Sequence, residues 1–314
     1  MTTTWFAERP GHGAVLVSGP DATSFLQSLV SQDLEPLGDG DGAPSLLLTP
    51  QGKLDVILRM LRVGGETGPE WWLDCEAGFG DHLAGALNRF RIRVDAAVED
   101  RTDAWGLLEV RGEDAAARVA TEAQVDAPEQ QGSHVPWGDR RLVRADWPDR
   151  PGVDVVGPIE SVRAVRDALR EAGVPAVELG QYETARIEAG LPRLGVDVDE
   201  RTIPQEAFLE RDAVSFTKGC FLGQELVCRI DTRGHVNRHL RRLRISAGRA
   251  PERGAEVVAD GASVGTVTSV AEGAGASLAL AMVRREVAPP AEVTLRDADG
   301  EVSATVEALP GSGT

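Results

Sequence analysis

The run Ser215-Phe-Thr-Lys-Gly-Cys-Phe-Leu-Gly-Gln-Glu225 sets a lone cysteine between glycines, with Lys218 two residues ahead and a helix-like Gln-Glu-Leu-Val segment after it. A lysine cation and the positive end of a helix both favour a thiolate over a thiol. A thiolate attacks electrophiles, ligates metals and exchanges with disulfides, so Cys220 is a candidate for any of the three. The alternative is a small buried cysteine in a glycine-dependent turn, and spacing alone leaves both readings open.

A second cluster is Gln181-Tyr-Glu-Thr-Ala-Arg-Ile-Glu-Ala-Gly-Leu-Pro192. Glu188 sits in an apolar Ile-Glu-Ala-Gly run, where a carboxylate needs a partner: a ligand edge with two adjacent N–H groups, such as a pterin or guanine, or else Arg186 or Arg193. Tyr182, the only tyrosine, offers a flat stacking face or fills the core. Asp55, after a Gln-Gly-Lys-Leu turn, is a candidate acid or base at the mouth of a hairpin, and His12 lies between two glycines before the first strand. Arg229, Arg233, His235, Arg238, His239, Arg241, Arg242 and Arg244 form a basic segment. It fits an anionic ligand, such as a polyglutamylated cofactor, a nucleotide or RNA, or a solvated face paired with carboxylates. The His235/His239 spacing ligates a metal only on a helix, and Gly234 with the β-prone residues beyond it argues against one. Cys228 reads as core, and no glycine-rich phosphate loop occurs.

The elements that must position these groups read as α+β. Residues 14–18 and 105–110 are strand-like, and each leads through Gly-x-Asp-Ala into a helix, at 22–30 and 115–120, so the chain carries a structural half-repeat. Strands are expected at 45–49, 54–63, 71–75, 91–94, 142–145 and 153–156, with helices at 79–90 and 158–172. From His239 the texture turns to short β-prone runs at 255–259, 263–270 and 278–283. They are punctuated by Gly254, Gly261, Gly265 and Gly273, the signature of a small barrel or sandwich. The predicted division is therefore 1–238 and 239–314, with a disordered tail from Leu309.

With 314 residues the chain can bury a sizeable core, and a net charge of −17 argues against a general nucleic-acid surface. The N-terminus lacks a secretory pattern and no apolar run is long enough to span a membrane, so a cytoplasmic protein is expected, without membrane contact and monomeric. Three unpaired-looking cysteines in a reducing compartment predict free thiols and no metal centre.

Lys218-Gly-Cys-Phe-Leu-Gly-Gln-Glu225 resembles the Lys-Gly-Cys-Tyr-x-Gly-Gln-Glu signature of the YgfZ family, folate-binding proteins linked to iron-sulfur cluster assembly and tRNA modification. Val17–Gln27, Leu48–Lys53, Arg186–Pro192, Ile203–Ala207 and Gly265–Ser269 resemble further landmarks of that family and of the wider glycine-cleavage T-protein superfamily. The resemblance implies a ring-like, three-part fold around a reduced folate, closed by a C-terminal β-barrel. It implies tetrahydrofolate or a one-carbon derivative as cofactor, and iron-sulfur enzymes or assembly proteins, and tRNA, as partners. It also implies that Glu188 contacts the pterin, that Tyr182 and His12 approach the folate, that Arg229 and its neighbours receive an anionic tail, and that Cys220 with Lys218 is the reactive group. The resemblance sets Asp55 close to the T-protein's catalytic aspartate, but Gln51 replaces the first glycine and Val56 the second aspartate of a Gly-Gly-x-x-Asp-Asp-like motif. The expected function is thus a folate-binding accessory factor for iron-sulfur proteins, the alternative an aminomethyltransferase.

Overall fold

The computed structural model describes residues 3–65, 68–245, 249–272 and 277–311. The chain forms two compact units that interleave along the sequence: Met1–Gln51, Asp55–Val177 and Asp212–Gln224 make the first, and Gly52–Leu54, Glu178–Arg211 and Glu225–Thr314 the second.

In the first unit the half-repeat extends to six elements. One copy runs β2 (Gly13–Ser18), α1 (Ala22–Gln27), β3 (Gly42–Leu48), β4 (Leu54–Gly65), β5 (Gly68–Cys75) and α2 (Gly80–Phe90), and is followed by β6 (Ala97–Asp100). The other runs β7 (Trp105–Arg111), α3 (Ala115–Ala123), β8 (His134–Trp137), β9 (Arg140–Arg144), β10 (Gly152–Pro158) and α4 (Ile159–Glu171). The sheets have matching orders, β6-β2-β5-β4-β3 and β1-β7-β10-β9-β8, where β1 is Trp5–Glu8. The place that β6 fills after α2 is filled in the second sheet by the N-terminal strand. Each strand-to-helix turn needs its glycine, with φ of +118° at Gly19 and +138° at Gly112. A Cβ would meet Asp95 O at 2.6 Å in the first case and Thr4 Oγ1 at 2.3 Å in the second.

Strand alternation sorts the residues of the second sheet between two faces. Leu108, Val110, Val153 and Val155 pack with Val119, Val162, Val165 and Leu169 of the helices. Leu107, Val143 and Val156 meet Leu61 and Trp72 of the first sheet instead. The unit is therefore built as helices, sheet, sheet, helices.

Charges are buried on the inner faces. Arg59 of β4 donates to Asp74 of β5 at 2.7 Å and to Asp154 of β10 at 2.6 Å. Arg111 reaches Asp154 at 2.8 Å and Glu109 at 2.7 Å, and Arg9 joins Glu109 and Glu76 at 3.1 Å each. Burial opposes ionisation of Asp154, yet Arg111 and Arg59 hold its carboxyl below the usual range. At Glu109 burial wins over Arg111 and raises the carboxyl.

In the second unit, β11 (Arg238–Ile245), β12 (Glu256–Ala259), β13 (Ala262–Ala271), β14 (Ser277–Arg284), β15 (Ala291–Asp297) and β16 (Gly300–Glu307) close a barrel in the order β11-β14-β13-β12-β15-β16. Leu243, Val257, Val267, Ala281, Leu295 and Val306 are among its filling. After the short early piece Gly52–Leu54, the chain returns to this unit at α5 (Leu179–Glu188); α6 (Glu210–Ala213) and α7 (Gln224–Arg233) lie where the chain passes from one unit to the other.

Some expectations differ from the structure. Residues 91–94 form no strand, because Arg93 takes a left-handed φ of +59°; the strand starts at Ala97. Gly265 lies inside β13 rather than at a turn, and Leu309, expected in a disordered tail, is buried. Gly273 and the final residues 312–314 lie outside the described residues.

Two histidines of the first unit, His134 buried and His12 half-buried, make its stability sensitive to acid. Burial lowers His12, with Arg59 and Arg9 adding to the effect and Asp74 opposing it, and burial with Arg141 pushes His134 down to about 4. The unfolded chain takes up these protons near pH 6.5, before the folded one does, so stability falls as pH drops from there towards 4. Urea midpoints at pH 7 and 4.5 should decrease accordingly, and His134→Gln should flatten the decline by up to about 1.4 kcal/mol per pH unit. An unchanged slope in the variant contradicts this account.

Candidate functional site

Cys220 lies in the irregular segment between α6 and α7, exposed to solvent. That segment is pinned to the loop after α1. Ser215 N–H donates to Ser31 O at 2.9 Å, Ser31 Oγ to Ala213 O at 2.5 Å, and Gln32 Nε2 to Asp212 O at 2.8 Å. The strongest pin is Lys218, whose Nζ donates to the carbonyls of Gln27, Val30 and Gln32 at 2.8, 2.8 and 2.7 Å. Three ammonium protons meet three carbonyls, one at the last residue of α1 and two in the loop after it. Burial lowers Lys218 to about 8, and the three carbonyls are placed to receive its ammonium protons.

On the far side of the cysteine, Phe221 is buried, its ring 5.4 Å from the same ammonium, and its N–H donates to Gln224 Oε1 at 3.2 Å. From sequence Lys218 is expected to act on the thiol as a cation; in the structure its protons go to carbonyls of the α1 region. Of the two flanking glycines only Gly223 has a left-handed φ, at +77°, while a Cβ on Gly219 would meet nothing within 4 Å. The thiol is not the small buried cysteine of the alternative reading. Cys228, by contrast, is half-buried on α7, and burial raises its thiol.

Asp55 is the second residue of β4, and its Oδ1 lies 2.7 Å from Nε2 of His82 on α2. Both are partly open to solvent, so the pair can take up or release a proton. Sequence reasoning missed His82, since nothing along the chain ties a polar helix residue to an aspartate 27 positions earlier. His12 is elsewhere, half-buried beside the inter-sheet charges with Nε2 3.7 Å from Asp74 Oδ1. There it lines a small cavity with Leu61, Trp72, Trp105 and Val156.

The remaining candidates belong to the second unit. Glu188 ends α5 and is exposed, despite its apolar neighbours in sequence; Tyr182 of the same helix is buried. Six residues turn a helix by roughly 600°, which leaves the two side chains about 120° apart around the axis. The carboxylate and the phenol ring therefore do not share a face. Arg186 uses its donors inside the unit, reaching Asp197 Oδ2 at 2.8 Å, Leu191 O at 2.6 Å and Glu183 Oε2 at 2.6 Å. The basic segment divides in two. Arg238 pairs with Glu206 at 3.0 Å, Arg242 and Arg244 with Glu307 at 2.9 and 2.7 Å, and His239 stacks on Phe208 with ring centroids 5.0 Å apart. Arg229 and Arg233 on α7, and His235 beyond it, are exposed. No helix spans His235 and His239, and no metal-binding cluster of His, Cys, Asp or Glu occurs among the described residues. None of the helices among those residues is long and apolar enough to cross a membrane.

Comparison with known proteins adds independent findings. Residues 10–218 match the model of the GCVT N-terminal domain, and residues 238–311 that of the glycine cleavage T-protein C-terminal barrel domain. An aminomethyltransferase of Rubrobacter xylanophilus is 27% identical over 294 residues, covering 91% of this chain and 77% of the relative. A tRNA-modifying protein YgfZ of Klebsiella pneumoniae is 29% identical over 247 residues, 77% of this chain and 72% of the relative. The crystal structure of aminomethyltransferase T of the glycine cleavage system from Bartonella henselae superposes with a TM-score of 0.87 at 23% identity, over 98% of this chain and 86% of that one.

The lysine pin is separable from the thiol. Lys218→Met strands three acceptors and should lower unfolding free energy by about 2–3 kcal/mol, whereas Cys220→Ser should stay within about 0.5 kcal/mol of wild type in urea titrations. Equal stability of the lysine variant and wild type removes the pin.

Proposed function

Because this chain belongs to the glycine cleavage T-protein family, we propose that it is a tetrahydrofolate-binding accessory factor for the assembly or repair of iron-sulfur proteins, with tRNA-modifying enzymes among its clients. The observation that carries this reading is an exposed Cys220 held between two fixed neighbours, Lys218 and Phe221. A thiol kept at the surface in an ordered loop is placed to react, whereas a structural cysteine is placed to pack. The chain's likeness to a YgfZ protein supports the same direction.

The residues present fit a reduced folate. Glu188 exposes a carboxylate that can accept two adjacent pterin N–H groups, and Arg229 exposes a guanidinium suited to a glutamate-tail carboxylate. When bound, the folate supplies one-carbon or redox chemistry. In the second unit Glu188 offers a carboxylate to the pterin; in the first, taken by itself, Cys220 offers a sulfur nucleophile and the Asp55–His82 pair a proton site. A cytoplasmic location is part of the proposal.

The Asp55–His82 pair also favours a second reading, aminomethyl transfer, in which Asp55 handles the proton and Cys220 is dispensable. Against it stands Val56, a buried strand residue where the T-protein motif carries a second aspartate.

Complementation of a strain lacking its YgfZ-type protein separates the two, with iron-sulfur-dependent tRNA methylthiolation as the readout. Cys220→Ala should lose activity and Asp55→Asn should keep it; the reverse pattern transfers the weight to the transferase. Tetrahydrofolate affinity should fall about 10- to 100-fold in Glu188→Gln, the loss expected of a charge-assisted pair. Unchanged affinity in a calorimetric titration rules out the pterin contact.

A further inference from the structure

Outside these groups the second unit carries a polar cleft of about 510 Å³ on the barrel wall. The 195–199 loop and Thr202 form one side, the start of β13 with Gly265 and Thr266 another, and Arg238, Arg253 and Arg284 converge on it. A volume in this range suits a small-molecule ligand.

Three of the four oxygens on the cleft's two carboxylates are already taken, Asp199 Oδ2 being the exception. Asp197 Oδ1 accepts the hydroxyls of Thr268 and Ser269 at 2.6 Å each, and Oδ2 accepts from Arg186 at 2.8 Å and from the Arg193 N–H at 3.0 Å. Asp199 Oδ1 accepts from Thr202 Oγ1 and the Arg201 N–H at 3.0 Å. The donors are not. Arg253 spends only Nη2, on Val196 O at 3.0 Å, Arg238 keeps Nη1 after pairing with Glu206, and exposed Arg284 has no partner among the described residues. A cleft with three guanidinium groups carrying unused donors against two carboxylates, one of them fully engaged, is complementary to an anion.

We propose that this cleft binds a small polyanion carrying phosphate or clustered carboxylate groups, held by Arg253 and Arg284 at the rim and by the free donor of Arg238 between them. None of these residues takes part in the proposed folate contacts.

Calorimetry on the full chain, with pyrophosphate and citrate as probes, tests the site and distinguishes phosphate from carboxylate chemistry. At least one probe should bind saturably and weaken as salt rises. Arg253→Glu and Arg284→Glu should each reduce affinity at least about tenfold, and Arg285→Glu, outside the cleft, should not. Arg253 and Arg284 are both exposed, so these changes leave the core intact. Absence of binding of both probes to wild type, or equal loss with Arg285→Glu, overturns the proposal.

Discussion

Arg59 joins the centre strands of two sheets, and the first unit is organised around that junction. A guanidinium withdrawn from water is tolerable only where carboxylates meet it with good geometry, and here Asp74 on β5 and Asp154 on β10 do so from opposite sides. The ion pairs therefore act as a registration device: a slip of one residue in either sheet would turn Arg59 or Asp154 towards the helices and strand a charge. Apolar contacts around Leu61, Trp72, Leu107 and Val156 fill the space beside it but would tolerate sliding. That His12 lies beside this network explains why its protonation is disfavoured: desolvation comes first, and Arg59 and Arg9 add to it.

The matching sheet orders show how one plan was used twice with a single alteration. In the first sheet the strand beside β2 follows its helix in sequence; in the second, the strand beside β7 comes from the other end of the domain. Chain entry and the second sheet are thereby closed together, and the residues after α4 continue the edge, with Phe6 N–H donating to Pro175 O and Val177 N–H to Phe6 O at 2.9 Å each.

Much of this was legible in the sequence because it rests on local signals. The Gly-x-Asp-Ala turns at Gly19 and Gly112, the amphipathic helices at 80–90 and 159–171, and the barrel's short strands all announce themselves by spacing. What stayed hidden depends on distant partners. Nothing local tells that Lys218 points to the carbonyls after α1, that His82 meets Asp55, or that Glu188 projects to solvent from an apolar run. Residues 91–94 alternate like a strand and are not one, because Arg93 turns left-handed and the chain must first regain the sheet edge. The basic segment read as a single feature, yet β11 sends part of it to Glu206 and Glu307 while α7 leaves the rest open.

The three carbonyls that receive Lys218 lie 186 to 191 residues before it. During synthesis the α1 segment is made early and waits, its acceptors in water, until just over two-thirds of the chain has emerged. Contacts of such separation form late, since the closure entropy must be overcome by structure already in place. The cysteine loop is thus ordered only on a completed first unit, and a truncated or misfolded chain would carry the same thiol without its setting. Lys218 makes the presentation of Cys220 a report that the surrounding domain is finished.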